Sequence, residues 1–306
     1  MRWTRRFRKR LTVECLRFGQ VLAQKGDART IEAMRKGLWI FTKTALPLRK
    51  RLKKNMQLAG VYRDGLLNEH FERAIDQMIF LAHVTRGSFY SSGCVDKFHF
   101  DDSFKILQQA YDKGKGVINI APHLCGYPVY AGPVTTRIPC VIYSRNSKDP
   151  LKIQITDIAA NVSKAERVYP PMNATKAQKL QIAIDVLRQR RLLFLTPDTP
   201  RKPHEGVPVT ILGRTSYFPI GAFVMSLRTG SPVVPSWWHW EDGIYHIRYG
   251  EPIELQRGGK LKEKAEAATK QWAEQIDAFL RKHPAMWWNW LDKRWTKIIR
   301  NGSPAG

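Results

Sequence analysis

The chain has 306 residues, 43% of them apolar, enough to bury one large core with or without a helical appendage. Its formal charge of +25 is unevenly placed: residues 1–54 hold seventeen Lys or Arg against three acids, a surplus of +14. That balance points to an anionic partner such as a lipid headgroup surface, an acidic protein or nucleic acid. No apolar run reaches the ~18 residues of a spanning helix, and no signal-peptide core follows the basic start, so peripheral attachment or a cytoplasmic location is expected.

Residues 4–24 predict a basic amphipathic helix, with Leu11, Cys15, Phe18 and Leu22 three or four apart. A second apolar stretch, Leu38-Trp39-Ile40-Phe41, lies within 28–46 and ends near Pro47. Leu48 to Lys54 is strongly cationic, and Asn55 to Leu66 is expected as a further short helix. Residues 1–66 thus form a basic helical region suited to a membrane surface or a carrier protein. The remainder, 67–306, is expected as one α/β domain.

Residues 68–88 predict a helix, with Phe71, Ile75, Met78, Ile79 and Ala82 on one side. Phe98 to Phe100 is a candidate edge strand, and Phe104 to Gly114 a helix. Val117, Ile118 and Ile120 form the central strand, which ends at Pro122. Strands are then predicted over Ile138 to Tyr143 and Leu192 to Leu195, with helices over 149–165 and 174–190. Val207 to Leu212 reads as a strand interrupted by Pro208, and Ile220 to Thr229 as a helix. Pro232 to Pro235 is a strand that runs on into a hairpin turning at Asp242-Gly243 and returning over Ile244 to Tyr249. A helix over 261–282 follows. Strands alternating with helices make this an α/β fold with a mixed, mostly parallel sheet.

GxGxxG, GxxxxGK[ST] and GxSxG are all absent, which removes support from dinucleotide, P-loop and lipase readings. No nucleic-acid recognition motif accompanies the charge, so no specific nucleic acid is expected. None of the four cysteines forms a CxxC pair; Cys125 beside His123 admits a Cys/His nucleophile only with a third orienting group. His123, Arg145 and Asp198 each follow an apolar strand, and open α/β sheets place their chemistry at such ends. A histidine can take a proton near neutral pH, an arginine can hold a phosphate, and an aspartate can orient the histidine. Most tryptophans cluster between 237 and 295, where packing of the last helix and tail against the sheet is favoured over an interfacial belt.

From about Leu38 to Trp295 the chain resembles the bacterial lipid A biosynthesis acyltransferases, a branch of the glycerophosphate acyltransferase superfamily. The matching features are Leu46-Pro47 with Arg51 to Asn55, His123, Arg145 in VIYSR, and Asp198 with Gly206 to Gly213 after it. They continue with Gly230-Ser231-Pro232-Val233-Val234-Pro235 and a closing set of Pro284, Trp287 or Trp288, Trp290, Arg294 and Trp295. The resemblance implies a glycerophosphate-acyltransferase-like fold and acyl transfer from an acyl carrier protein or coenzyme A thioester to a hydroxyl or amine of a lipid-like acceptor. It implies no cofactor beyond that co-substrate. His123 would be the general base, in a direct attack without an acyl-enzyme. Arg145, Arg201 and Tyr127 would bind substrate, with backbone N–H groups near Gly126 stabilising the oxyanion. One departure stands out: the family places Asp or Glu five residues after the histidine, and here that residue is Pro128. Either Asp198 supplies the acid from elsewhere, the histidine works unassisted on an easier nucleophile, or the chain is an inactive lipid- or carrier-binding protein.

Overall fold

The computed structural model describes residues 21–22, 25–144, 165–256 and 258–302. The helix predicted over 4–24 and the one over 149–165 fall largely outside these, as does Arg145. Helix α1, Ala28–Thr44, starts at Asp27, whose side chain accepts from the Thr30 N–H at 2.8 Å. Helix α2 spans Leu46–Leu58, which corrects two boundaries read from the sequence. Pro47 opens this helix, because the first turn has no use for its missing N–H. The cationic stretch is therefore helical, and the chain turns after Leu58 through Gly60 and Gly65, both at positive φ. Helix α3, Leu66–Arg86, stops at the left-handed Gly87.

Seven strands form one sheet: β1 Phe98–Phe100, β2 Val117–Ile120, β3 Cys140–Tyr143, β4 Glu166–Val168, β5 Leu192–Leu195, β8 Val233–Glu241 and β9 Ile244–Tyr249. Two more, β6 Val207–Ile211 and β7 Arg214–Phe218, pair as a separate antiparallel ribbon. The sheet order is β1-β9-β8-β2-β5-β3-β4, and every neighbouring pair is parallel except the β8–β9 hairpin. β2 is therefore central. β2 and β5 are buried along their whole length, as their near-continuous apolar sequences require in a parallel sheet. The polar exception is Asn119. Its amide donates to Val234 O at 2.9 Å and Ser236 Oγ at 3.0 Å, and its carbonyl accepts from Tyr130 OH at 3.1 Å.

Helices α4 (Phe104–Asp112), α5 (Tyr127–Thr135), α6 (Lys176–Arg188), α7 (Gly221–Thr229) and α8 (Leu261–Lys282) connect or flank the strands, and α9 (Lys293–Asn301) closes the described chain. Pro208 does not interrupt β6. It lies opposite Tyr217 in continuous register and is exposed, and a two-stranded ribbon has an outer edge that tolerates a missing donor. Trp238, Trp272, Trp287, Trp290 and Trp295 are all buried to 1% exposure or less, so these five pack the core. Rings of this size dominate core energetics, each removing roughly 150–250 Å² from water. α2 joins the same core through Leu52 and Met56 and is tied to α9 by Asn55, which donates to Thr296 Oγ1 at 3.0 Å and accepts from Arg300 Nε at 2.9 Å. α1 packs on α3 through a smaller cluster around Ile31, Ile75 and Ile79. An ion pair from Arg35 to the buried Asp76, 2.7 Å, adds to it.

Candidate active site

The parallel register pairs Ile120 with Leu195, so β2 and β5 end side by side. The residues that follow them, Ala121-Pro122-His123 and Thr196-Pro197-Asp198, meet at the carboxyl rim of the sheet. Asp198 is fully buried. One carboxylate oxygen contacts His123 Nδ1. The other accepts from the His123 backbone N–H at 2.9 Å, from the Asn289 amide at 2.8 Å and from the Trp287 indole at 3.3 Å. The Trp295 indole donates to the Asp198 carbonyl at 3.2 Å. A buried carboxylate is tolerated only when its lone pairs are filled in this way. The imidazole keeps 18% of its surface exposed, and its Nε2 lies 3.2 Å from Thr196 Oγ1. The Tyr127 ring stands edge-on to it, with centroids 4.9 Å apart.

The backbone after His123 is held from several sides. His123 O accepts from Trp288 N at 2.8 Å, and Cys125 N donates to Met286 O at 2.7 Å. Cys125 O accepts from the Trp238 indole at 2.7 Å. Trp238 in turn stacks on Tyr130 at 4.6 Å. Gly126 adopts φ +91°, and its N–H donates to the buried Gln77 carbonyl at 2.9 Å. A Cβ at this glycine would meet only ordinary contacts, so the dihedral itself calls for glycine.

A histidine held by a buried carboxylate at the end of a parallel strand can take a proton from a hydroxyl or amine. The sequence profile of the bacterial lipid A biosynthesis acyltransferases matches residues 16–297. The chain belongs to this family. It is accordingly an acyltransferase, and the family transfers acyl groups to a lipid acceptor. A search of curated proteins found no match.

Against the family pattern, Pro128 occupies the first turn of α5 and offers no acceptor, while Asp198 reaches the imidazole from the neighbouring strand end. Two sequence-based expectations need correction. The Gly126 N–H is not available to an oxyanion, because Gln77 already holds it. The N–H groups of His123, Leu124, Cys125 and Tyr127 are likewise donated within the protein. Cys125 is not a nucleophile candidate: it is fully buried, and burial pushes its thiol well above the usual range. Tyr127 remains at the rim, its phenol raised by burial with the Arg167 charge opposing. Arg201 lies three residues beyond Asp198, its N–H donated to Tyr217 O of β7 at 2.9 Å.

Several residues at the site were not singled out from sequence. Thr196 is the first residue past β5. Arg167 sits on β4 opposite Ile142, and its guanidinium donates to Ser144 Oγ at 2.7 Å, next to the end of β3. Trp287 and Asn289 complete the shell of Asp198 from some ninety residues away. The tail tryptophans and the closing set that includes Trp287 pointed to that side of the site; nothing in the sequence singled out Asn289.

Proposed function

We propose that this acyltransferase moves a fatty acyl group from an acyl carrier protein or coenzyme A thioester to a hydroxyl or amine of a lipid or glycolipid acceptor. His123 is the general base, and Asp198 orients and balances it. The observation that carries this reading is the buried, N–H-saturated Asp198 carboxylate on one imidazole nitrogen, with the other nitrogen at the exposed rim. An acceptor-only carboxylate at Nδ1 fixes the proton there and leaves the Nε2 lone pair for the acceptor. The resulting imidazolium is stabilised by the same carboxylate, as the leaving thiolate takes the proton back. Arg201, Arg145 and Arg167 supply cations for phosphate groups of the donor arm or the acceptor.

The α1–α2 pair supports peripheral attachment to an anionic membrane surface, in keeping with a location at the cytoplasmic face of the inner membrane. Ile40, Phe41 and Leu46 are each about 60% exposed, and Leu58 is 40% exposed. Lys50, Lys53 and Lys54 line a shallow cleft of about 420 Å³ beside Leu58. Apolar side chains beside lysines suit the headgroup boundary. Among the described residues no helix is long and apolar enough to cross a membrane.

The test is loss of thioester from a panel of acyl carrier protein and coenzyme A donors, with and without a membrane-lipid extract, for wild type and His123→Ala. Turnover that disappears in His123→Ala supports the reading. Donor binding with equal, negligible turnover by both proteins sinks it, and leaves the inactive binding protein that Pro128 alone would suggest.

A further inference from the structure

The N–H groups of residues 123–127 are all donated within the protein, and Pro122 and Pro128 on either side of them have none. These residues therefore offer no backbone donor to the negative charge that develops on a thioester carbonyl oxygen under attack. The facing strand end offers a side chain. Thr196 Oγ1 lies 3.2 Å from His123 Nε2, at the partly exposed rim. The carboxylate of Asp198 can only accept, so Nδ1 carries the imidazole proton and Nε2 is a lone pair that accepts from the Thr196 O–H. A ring nitrogen has one such lone pair. An acceptor O–H or N–H that takes it displaces the Thr196 hydroxyl. After proton transfer Nε2 is itself a donor and cannot take that bond back. The hydroxyl proton is thus released as charge appears beside it. Pro197 confines Thr196 to extended backbone and the branched Cβ restricts χ1, so the oxygen stays at the rim while its O–H turns.

We propose that the Thr196 hydroxyl is the oxyanion donor of the direct transfer: it covers the base in the free enzyme and turns to the thioester carbonyl oxygen when the acceptor displaces it. The proposal rests on the reading of His123 as general base and deepens it. His123 Nε2 takes the proton of the acceptor hydroxyl or amine, and the acceptor atom bonds to the thioester carbonyl carbon. The carbonyl electron pair moves on to oxygen, which accepts from the Thr196 O–H. As the C=O bond forms again, the C–S bond breaks and the sulfur takes the proton from Nε2. The Thr196 O–H bond itself never breaks. Thioester and acceptor become acylated acceptor and free thiol, with nothing else consumed. A hydrogen bond that strengthens only as the oxyanion forms speeds the chemical step without tightening donor binding.

The experiment uses the full chain with dodecanoyl coenzyme A and dodecanoyl acyl carrier protein as donors and a membrane-lipid extract as acceptor. Thr196→Val is expected to lower kcat at least about 100-fold, the scale of one lost oxyanion donor, with donor KM within about twofold of wild type. Thr196→Ser is expected to stay within about tenfold of wild type in kcat, because the O–H is kept. Thr196→Ala takes the place of the valine variant where that one melts lower than wild type. S-dodecyl coenzyme A, a thioether with no carbonyl, is expected to bind wild type and variant alike. Diethyl pyrocarbonate, read by mass on the His123 peptide, is expected to modify the variant at least as fast as wild type, since Nε2 has lost its cover. A variant that keeps wild-type kcat, or that loses turnover through a raised donor KM alone, overturns the donor role and leaves the acyltransferase reading standing. Slower modification of His123 does the same, because the ring has then turned away, and so does a dodecanoyl ester found on the Thr196 peptide after acid quench. Absence of wild-type turnover with both donors overturns the acyltransferase reading, and the donor role with it.

Discussion

Asp198→Asn separates chemistry from stability at the proposed base. The carboxylate oxygen that takes three N–H groups can remain an oxygen after substitution, so the bonds from His123 N, Asn289 and Trp287 are retained. The new NH2 must then face His123 Nδ1. Two donors cannot share that contact, so the ring gives up its Nδ1 proton, accepts from the amide and carries its proton on Nε2. A protonated Nε2 cannot take a proton from a substrate. The same exchange of tautomer in a serine protease triad costs about 10⁴ in kcat. By that measure the barrier here rises by about 5 kcal/mol. Stability should fall by only about 1–2 kcal/mol, the scale of one altered buried hydrogen bond. Asp198→Ala, by contrast, strands the three N–H donors and should cost roughly 3–5 kcal/mol. Thioester cleavage read with a thiol reagent, beside a thermal melt of each variant, distinguishes the two. An Asp198→Asn protein that turns over within tenfold of wild type would falsify the assignment of His123 and Asp198 as a working pair.

Three further outcomes are expected. Gly126→Ala forces a Cβ into the left-handed region and should cost roughly 1–2 kcal/mol, a melting decrease of a few degrees; an unchanged melt would show that the turn relaxes. His70 is buried, and burial lowers its ring to about 4 while Nδ1 donates to Ala285 O at 2.9 Å. The unfolded chain binds that proton more readily, so stability is full above pH 6.5 and is lost as pH falls toward 4, by about 3 kcal/mol for this residue. His283, also lowered to about 4, adds loss in the same direction. His70→Gln should therefore flatten the urea-unfolding profile between those pH values in part, and an equally steep profile would remove His70 from the account. Finally, replacing Lys50, Lys53 and Lys54 by Gln should weaken sedimentation with phosphatidylglycerol vesicles about 100-fold at low salt, at about 1 kcal/mol per cation. Unaltered partitioning would place the membrane contact elsewhere on the protein.

The central architecture could be read from the sequence because hydrophobicity alone specifies it. β2 and β5 are buried apolar runs, and the hairpin turns at Asp242 and Gly243, both at positive φ, as the Asp-Gly pair demands. β4 and β7 were not legible. β4 is three residues, Glu166–Val168, that become a strand only by joining β3. β7 follows a turn made by Leu212 and Gly213, and leucine is no turn signal. Leu212 holds φ 50° because it is buried and its N–H is taken by Asp277. At the site, His123 and Asp198 could be found from strand ends, since strand ends are local features. The donors that hold Asp198 could not, because nothing in local spacing links Trp287 or Asn289 to a residue ninety positions earlier.

The anchoring of Asp198 by Trp287, Asn289 and Trp295 also imposes an order on the life of the chain. During synthesis every strand of the sheet has left the ribosome before the tail that completes this anion's shell. Until Asn289 and the two indoles arrive, burying Asp198 leaves a charge without its donors, which the fold resists. Docking of the tail is therefore the step that completes the shell of Asp198 beside His123. A nascent or clipped chain ending before Pro284 would keep all nine described strands and lack the tail donors of Asp198, so the shell of this carboxylate is complete only as the last turns of the fold close.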